Sequence, residues 1–218
     1  MASDEQVHRE MRDHFEGLWR RGDPWDLGSS EFERDKYDRQ FALLQGRRFP
    51  RVLEIGCGAG SFTHRLATVS DRIVALDIAP SAIEQARRSE AGPGEVDYRT
   101  ADVMEYDVRR EGPWDLIVMS ETIYCLGWLY SFFRVGWLAS ELFAATRIGG
   151  RLLMANVCGL PGDYLASMSL IRTYNDLFAN VGYHVEKEEM FHGLKEGQPV
   201  DAIICVFEKR AEGTPDPG

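Results

Sequence analysis

Short apolar runs alternate with amphipathic stretches along most of this chain. Seven runs have the length and β-branched content of strands, and they cover residues 51–56, 72–77, 95–99, 114–119, 151–157, 183–191 and 201–208. Helical periodicity between them predicts helices at 60–69, 80–90, 128–146 and 162–181. The alternation indicates an α/β fold, a doubly wound and mostly parallel seven-stranded sheet with helices on both faces. No helical pattern separates the last two strands, so we expect an antiparallel C-terminal hairpin that turns within HGLKEGQP.

Two more helices are predicted before the first strand. Ser3 with Gln6, and Ser30 with Glu33, have the spacing of capping boxes, and apolar residues follow each pair at helical intervals. We therefore predict three regions, which are an N-terminal helical segment at 1–48, a core at 49–210 and a disordered tail at 211–218.

The N-terminal helical segment has two interpretations. It packs on the sheet as an amphipathic appendage, or it covers the ligand pocket as a lid. In the second interpretation, Trp25 and Tyr37 face the ligand.

The composition excludes several classes of protein. With 218 residues, of which 44% are hydrophobic, the chain can form one globular domain with a full core. Its formal net charge of −10 repels a phosphate backbone, which argues against a nucleic-acid partner. The N-terminus is charged and no apolar run approaches the roughly 20 residues that span a bilayer, so we expect a soluble, cytoplasmic protein with no membrane partner. The four cysteines form no CxxC pair, and we predict that they are reduced and bind no metal.

Closely spaced glycines end the first predicted strand. The segment VLEIGCGAG places Gly56, Gly58 and Gly60 where backbone can approach a nucleotide without an intervening side chain. The spacing is G-x-G-x-G, whereas the dinucleotide motif requires G-x-G-x-x-G, and no Lys-Ser or Lys-Thr pair follows as in a P-loop. These differences disfavour a nicotinamide-dependent oxidoreductase and a P-loop enzyme.

Two acids follow the next strands. Asp77 ends the second strand at the position of an acid that accepts hydrogen bonds from ribose hydroxyls, although it could instead cap the helix that begins near Pro80. Asp102 follows the third strand, where a carboxylate can accept the exocyclic amine of an adenine while Val103 offers its backbone amide. The alternative for Asp102 is an ordinary surface acid.

Four segments together resemble, in order and spacing, the class I methyltransferases that use S-adenosylmethionine: VLEIGCGAG, ALDIAPSAIEQAR, YRTADV and WDLIVMSETIYCL. The resemblance covers about residues 50 to 208 and implies a Rossmann-like methyltransferase sheet that binds S-adenosylmethionine, with S-adenosylhomocysteine as product and no metal. It assigns the methionine pocket to Glu54 and the glycines, the ribose to Asp77, and the adenine to Asp102 and Val103. The residues expected at the cofactor are Trp25, Tyr37, Glu54, Gly56, Gly58, Gly60, Asp77, Ile78, Asp102, Val103 and Ser120.

A narrower resemblance is carried by DPW, by SSEFERDKYDRQFALL and by DLIVMSETIYCL. Together they look like the nodulation protein S group, which N-methylates an amino sugar within a chitooligosaccharide. This resemblance implies a small-molecule acceptor that contains a sugar.

Methyl transfer to an amine needs a positioned nucleophile and a group that takes its proton. We predict that Glu121 orients or deprotonates the amine, that Tyr124 walls the methyl channel, and that His192 is the second-choice base. In the structural alternatives, Glu121 caps the following helix, Tyr124 belongs to the core and His192 is a solvated turn residue. His8, His14, His64 and His184 are expected to lack partners.

Three points stay open in the sequence. The aromatic stretch at 124–137 packs in the core, lines a sugar-binding cleft or forms a homodimer face. A methyltransferase acting on the oxygen of a sugar hydroxyl or small phenol is the main rival, although no Asp-His dyad or metal cluster is recognisable. A non-catalytic S-adenosylmethionine-binding protein would bind the cofactor without turnover.

Overall fold

The computed structural model describes residues 4–89, 92–158 and 166–211 of the chain. Some predictions therefore fall wholly or partly outside the described residues, namely the cap at Ser3, the last residue of the helix at 80–90, the start of the helix at 162–181, and almost all of the tail at 211–218.

Seven strands form one sheet in the order β3-β2-β1-β4-β5-β7-β6. Their bounds are β1 Phe49–Ile55, β2 Ser70–Asp77, β3 Glu95–Thr100, β4 Trp114–Ser120, β5 Thr146–Cys158, β6 His184–Lys195 and β7 Gln198–Glu208. The first five strands pair in parallel, and β7 pairs antiparallel with both β5 and β6. This confirms the predicted seven-stranded sheet with its antiparallel C-terminal hairpin.

Helices cover the sheet and its edge. Their bounds are α1 Asp4–Trp19, α2 Glu31–Ala42, α3 Thr63–Leu66, α4 Pro80–Arg88, α5 Ile123–Leu129, α6 Phe132–Ala145 and α7 Met168–Asn180. Within the described ranges, no helix is both long and apolar enough to cross a lipid bilayer.

Both faces of the central strands are buried, because alternate side chains of a strand point to opposite faces. In β1, Leu53 packs in the cluster that includes Leu138 of α6 and Phe178 of α7. The adjacent Val52 packs in a second cluster with Leu66 of α3 and Ile83 of α4. The continuous apolar runs in the sequence reflect this two-sided burial.

Several predicted boundaries are corrected by the structure. The predicted helix at 128–146 is two helices, since Tyr130 is extended and the Ser131 side chain caps α6. The helix expected at 60–69 is only the single turn α3. The strands of the hairpin continue through most of HGLKEGQP, and only Glu196 and Gly197, both with positive φ, lie between them.

Candidate functional site

A cavity of about 430 Å³ opens at the carboxyl end of β1. The strand order reverses at β1, whose neighbours are β2 and β4, and ligands of doubly wound sheets bind at this switch point. The glycine turn, the ends of β2 and β4, and the helices α1 and α2 form the cavity wall. Its volume lies within the roughly 300–1,000 Å³ typical of small-molecule sites.

The glycine turn brings bare backbone to the cavity. Gly56 and Gly58 have φ of 77° and 53°, in the left-handed region that favours glycine. A Cβ at Gly56 would lie 2.6 Å from Thr122 Oγ1, and a Cβ at Gly58 would lie 2.8 Å from the Trp19 ring. Gly60 does not line the cavity, and a Cβ there would instead meet the Tyr98 hydroxyl.

Asp77 lines the cavity at the end of β2 and also holds the backbone around it. Its Oδ2 accepts a hydrogen bond from Gly58 N and its Oδ1 accepts one from Ala79 N, each at 2.9 Å. Burial raises the pKa of Asp77 to about 6, although the backbone hydrogen bonds act in the opposite direction. The carboxylate thus lies on the cavity wall and binds the backbone of Ala79, the residue before α4, but no side chain caps that helix. Its role at the ribose stays a prediction.

Glu54 lies behind the glycine turn and not on the cavity wall. The Thr63 hydroxyl donates a 2.6 Å hydrogen bond to its carboxyl group. Burial, with a smaller contribution from Asp77, raises the pKa of Glu54 to about 8, so the group is protonated at neutral pH. The hydrogen bond from Thr63 lets Glu54 support the turn through α3, and its assignment to the methionine pocket stays a prediction.

The edge of the cavity beyond Asp77 is formed by Ile78, Asp102 and Val103. Asp102 is buried, and its Oδ1 accepts a hydrogen bond from Met104 N at 2.9 Å. Its Oδ2 lies 2.6 Å from His8 Nδ1, and the Tyr130 hydroxyl donates to the same oxygen at 3.0 Å.

This arrangement corrects two expectations. Asp102 is not a surface acid, and His8 has a partner, because α1 crosses the sheet edge beside the loop after β3. A His–Asp pair is therefore present at the cavity rim, where the sequence had shown none. His14, also expected to have no role, lines the cavity and packs edge-on against Trp128.

Glu121 is fixed at the carboxyl end of β4 with an unusual backbone. Its φ is 56°, a sparsely populated conformation for a residue other than glycine, which indicates that the surroundings determine it. Its N–H donates to Ala155 O at 2.7 Å, and Val157 N donates to its carboxylate oxygens at 3.0 and 3.2 Å. The N-cap position of α5 is Thr122, so Glu121 does not cap that helix.

Lys36 of α2 completes this corner of the cavity and was not predicted. Its side chain is only 1% exposed, and Nζ lies 2.7 Å from both Glu121 Oε1 and Glu33 Oε2. Burial lowers the pKa of Lys36, but the attraction of Glu121 and Glu33 outweighs it and the pKa is raised. The available signal was the i, i+3 pair of Glu33 and Lys36 beside the apolar stripe of α2.

Tyr124 and Ser120 also line this corner. Burial, together with the charge of Glu121, raises the pKa of Tyr124 well above its ordinary value, so its hydroxyl stays neutral. The Ser120 hydroxyl oxygen is buried and has no hydrogen-bond partner among the described residues.

Aromatic side chains form a continuous wall from the glycine turn to the cavity mouth. Successive ring centroids lie 5.6, 6.4, 5.2 and 5.5 Å apart along Trp19, Trp25, Phe15, His14 and Trp128. Trp128 is 51% exposed and Trp25 is exposed at the opposite end of the mouth. Tyr37 lines the cavity from α2 and stacks on Phe62.

His192 is not part of the cavity. Strand β6 continues through it, and it pairs in register with Asp201 of β7. Its Nδ1 lies 2.7 Å from Asp201 Oδ1, and the side chain is 70% exposed. The structure thus places His192 on a sheet edge, neither in a turn nor beside Glu121.

Taken together, the sheet order, the glycine turn after β1 and the acid ending β2 define the fold of class I S-adenosylmethionine-dependent methyltransferases. The family model for nodulation protein S matches residues 7–130, more than half of the chain, and the chain belongs to this family.

Individual relatives agree with this assignment. Nodulation protein S of Rhizobium tropici is 37% identical over 107 residues, which are 48% of this chain and 44% of the relative. The match therefore spans less than half the length of that relative. The crystal structure of the N-methyltransferase NodS from Bradyrhizobium japonicum WM9, in complex with S-adenosyl-L-homocysteine, superposes with a TM-score of 0.72 at 21% identity, covering 91% of this chain and 98% of that one.

A shorter match is to a protein whose name states methylation of oxygen. A ubiquinone biosynthesis O-methyltransferase of Xanthomonas euvesicatoria pv. vesicatoria is 31% identical over 74 residues, which are 34% of this chain and 31% of the relative.

Proposed function

We propose that the protein is an S-adenosylmethionine-dependent N-methyltransferase whose acceptor is the amine of an amino sugar. The observation that carries the proposal is the Glu121 carboxylate, held by Lys36 and the Val157 amide in the same cavity as the glycine turn and Asp77. Membership of the nodulation protein S family supports the same class of reaction.

The residues of the cavity fit the cofactor. Gly56 and Gly58 bring backbone to the cavity wall, where the amino-acid portion of the cofactor would lie, and the Asp77 carboxylate would accept hydrogen bonds from the ribose hydroxyls. Ile78 and Val103 would contact the adenine, and the unpartnered Ser120 hydroxyl faces the same space. S-adenosylmethionine, when bound, supplies an electrophilic methyl group, which the acceptor takes as the carbon–sulfur bond breaks and its electron pair stays on sulfur.

The chain's own contribution is to orient the amine and to accept its proton. An acceptor that arrives as an ammonium can donate a charge-assisted hydrogen bond to Glu121, and the proton passes to this carboxylate as the free amine forms. The neutral Tyr124 hydroxyl is a donor under these conditions and not a base. The helices α1 and α2 line the cavity and would limit the access of water to this corner when the cofactor and acceptor are bound.

A sugar fits the mouth of the cavity. Trp25 and Trp128 are exposed there, and aromatic rings can stack on the apolar faces of sugar rings. The amine of a sugar held against these rings would point inward toward Glu121.

The test is a panel of amino sugars and chitooligosaccharides with labelled S-adenosylmethionine. Glu121→Gln should keep cofactor binding and lower the turnover number by about 10²-fold or more, the scale of a lost general base. The deficit should shrink as pH rises, because free amine then forms without the enzyme. Glu196→Gln is the matched control, since Glu196 also has positive φ but lies in the hairpin turn. Normal turnover by the Glu121→Gln enzyme near neutral pH would remove Glu121 from this role.

O-methylation is the second candidate function. The match to an O-methyltransferase favours it. The same panel, extended with phenols and with sugars that lack an amine, separates the two functions by the class of acceptor that is labelled. Binding of S-adenosylhomocysteine without turnover on any acceptor would instead indicate a non-catalytic binding protein.

A further inference from the structure

An alternating chain of charges connects the end of β4 to the C-terminal hairpin through α2. Glu121 contacts Lys36, Lys36 contacts Glu33, and the Lys195 ammonium donates to Glu33 at 2.8 Å. Lys195 also donates to Trp25 O at 3.1 Å, so the chain of charges reaches the loop between α1 and α2. Three separate parts of the sequence thus meet at the acceptor end of the cavity.

Lys36 is the least exposed residue of this chain of charges. At 1% exposure, a lysine is stable as a cation only when carboxylates compensate the lost hydration, and here two carboxylates lie at 2.7 Å. Its ammonium also lies 5.4 Å from the Phe32 ring centroid and 5.9 Å from that of Tyr37. Such a lysine has a defined position and is unsuited to act as a base itself.

We propose that Lys36 is a positioning residue of the acceptor site, which fixes the Glu121 carboxylate in the place and charge state needed to receive the acceptor's proton. The proposal rests on the proposed function. It makes the N-terminal helical segment a contributor to the chemistry through Glu121, in addition to a cover over the cavity. No bond to Lys36 forms or breaks, and the proton leaves the amine for Glu121.

The reasoning is electrostatic and geometric. The Glu121 backbone is fixed by Ala155 and its carboxylate by Val157, but among the described residues only Lys36 supplies a full positive charge in contact with it. A carboxylate that loses its cationic neighbour takes up a proton at higher pH. The other titratable groups that face this pair are Glu33, Tyr37, Tyr124, Cys125, Cys158 and Lys195.

The experiment compares pH profiles of the turnover number for wild type, Lys36→Met and Lys36→Arg with an amino-sugar acceptor. Lys36→Met should move the acid limb to higher pH by about one unit or more and lower turnover near neutral pH by about tenfold or more. Lys36→Arg keeps the charge and should retain the wild-type profile. Lys187→Met, on an exposed part of β6, is the matched control and should change nothing.

Two further measurements separate positioning from folding. Adding Lys36→Met to Glu121→Gln should cause little additional loss of turnover, because residues that act as a unit are not additive. The affinity for S-adenosylhomocysteine should stay within about twofold of wild type in the Lys36→Met enzyme, because Lys36 does not hold the cofactor. A folded Lys36→Met enzyme with the wild-type pH profile would overturn the role of Lys36. A wild-type enzyme that methylates no amine would overturn the proposed function itself.

Discussion

Replacing Asp77 with alanine removes a carboxylate that faces the cavity and accepts two backbone hydrogen bonds, from Gly58 and Ala79. Hydrogen bonds to charged groups contribute about 1.5–3 kcal/mol each. Loss of the two expected ribose contacts therefore costs about 3 kcal/mol or more, which corresponds to roughly a 100-fold increase in the Kd for S-adenosylhomocysteine. If only one ribose contact is lost, the expected increase in the Kd for S-adenosylhomocysteine is still roughly tenfold.

The free energy of unfolding should change less than the affinity does. The pKa of Asp77 is raised from 3.8 to about 6, so holding this group ionised above pH 6 destabilises the folded protein by about 3 kcal/mol. The Asp77→Ala substitution removes this destabilising charge, but it also removes the hydrogen bonds from Gly58 N and Ala79 N. The two effects on the free energy of unfolding therefore oppose each other.

Calorimetric titration with S-adenosylhomocysteine measures the affinity, and urea unfolding of the same samples measures stability. Asp71→Ala is the matched control, because Asp71 is the second residue of the same strand, its side chain is 55% exposed and it pairs with Arg48 at the surface. Asp77→Asn retains the shape and should lose less affinity than alanine. A folded Asp77→Ala protein that binds S-adenosylhomocysteine as tightly as wild type would refute the ribose assignment.

Three other outcomes are expected. The pKa of Glu54 is raised from 4.5 to about 8, so its contribution to stability is fully present below pH 4.5 and is lost as pH rises through 8. Glu54→Gln should therefore gain stability relative to wild type as pH rises from about 4.5 to 8 in urea unfolding, and a difference that stays constant over this range would contradict this. Gly58→Ala should weaken S-adenosylhomocysteine binding through the contact with Trp19, whereas Gly149→Ala, with similar positive φ and no atom within 4 Å, should lose about 1–2 kcal/mol of stability only. Amide hydrogen exchange in residues 4–42 should slow when S-adenosylhomocysteine binds, and equal protection in both states would favour the plain amphipathic appendage over a lid.

The sheet could be predicted from sequence because its signals are local. A strand buried on both faces needs a continuous apolar run, as in 51–56 and 72–77. These two runs end at Gly56 and Asp77, and each of these residues has a local structural role. Gly56 turns the chain with positive φ, and Asp77 binds the backbone of that turn. Seven strand-like runs, with no helical pattern between the last two, were enough to predict the fold class.

The polar partners were harder to predict because they join distant parts of the chain. Glu121 was identified from its position after β4, but Lys36 lies 85 residues away along the chain, and His8 lies 94 residues from Asp102. No periodicity encodes such pairs, since they depend on how α1 and α2 cross the sheet edge. The turn expected at His192 is not observed, and the cause is local. The pairing of β6 with β7 continues beyond His192, because the glycine in HGLK does not end it.

The region matched by the family model contains only some of the residues that line the cavity. This division is relevant to which acceptor the protein binds. Residues 7–130 contain the glycine turn, Asp77, Lys36 and Glu121, so the matched region contains the expected cofactor contacts and the proposed proton acceptor. Val157, Lys195 and Val200 also line the cavity but lie outside the matched region. Lys195 binds Glu33 and Trp25 O, so a change in the hairpin alters the acceptor end without disturbing Asp77. Differences in acceptor between this chain and other family members should therefore map to β5 and to the β6–β7 hairpin, while the affinity for S-adenosylhomocysteine follows the N-terminal half.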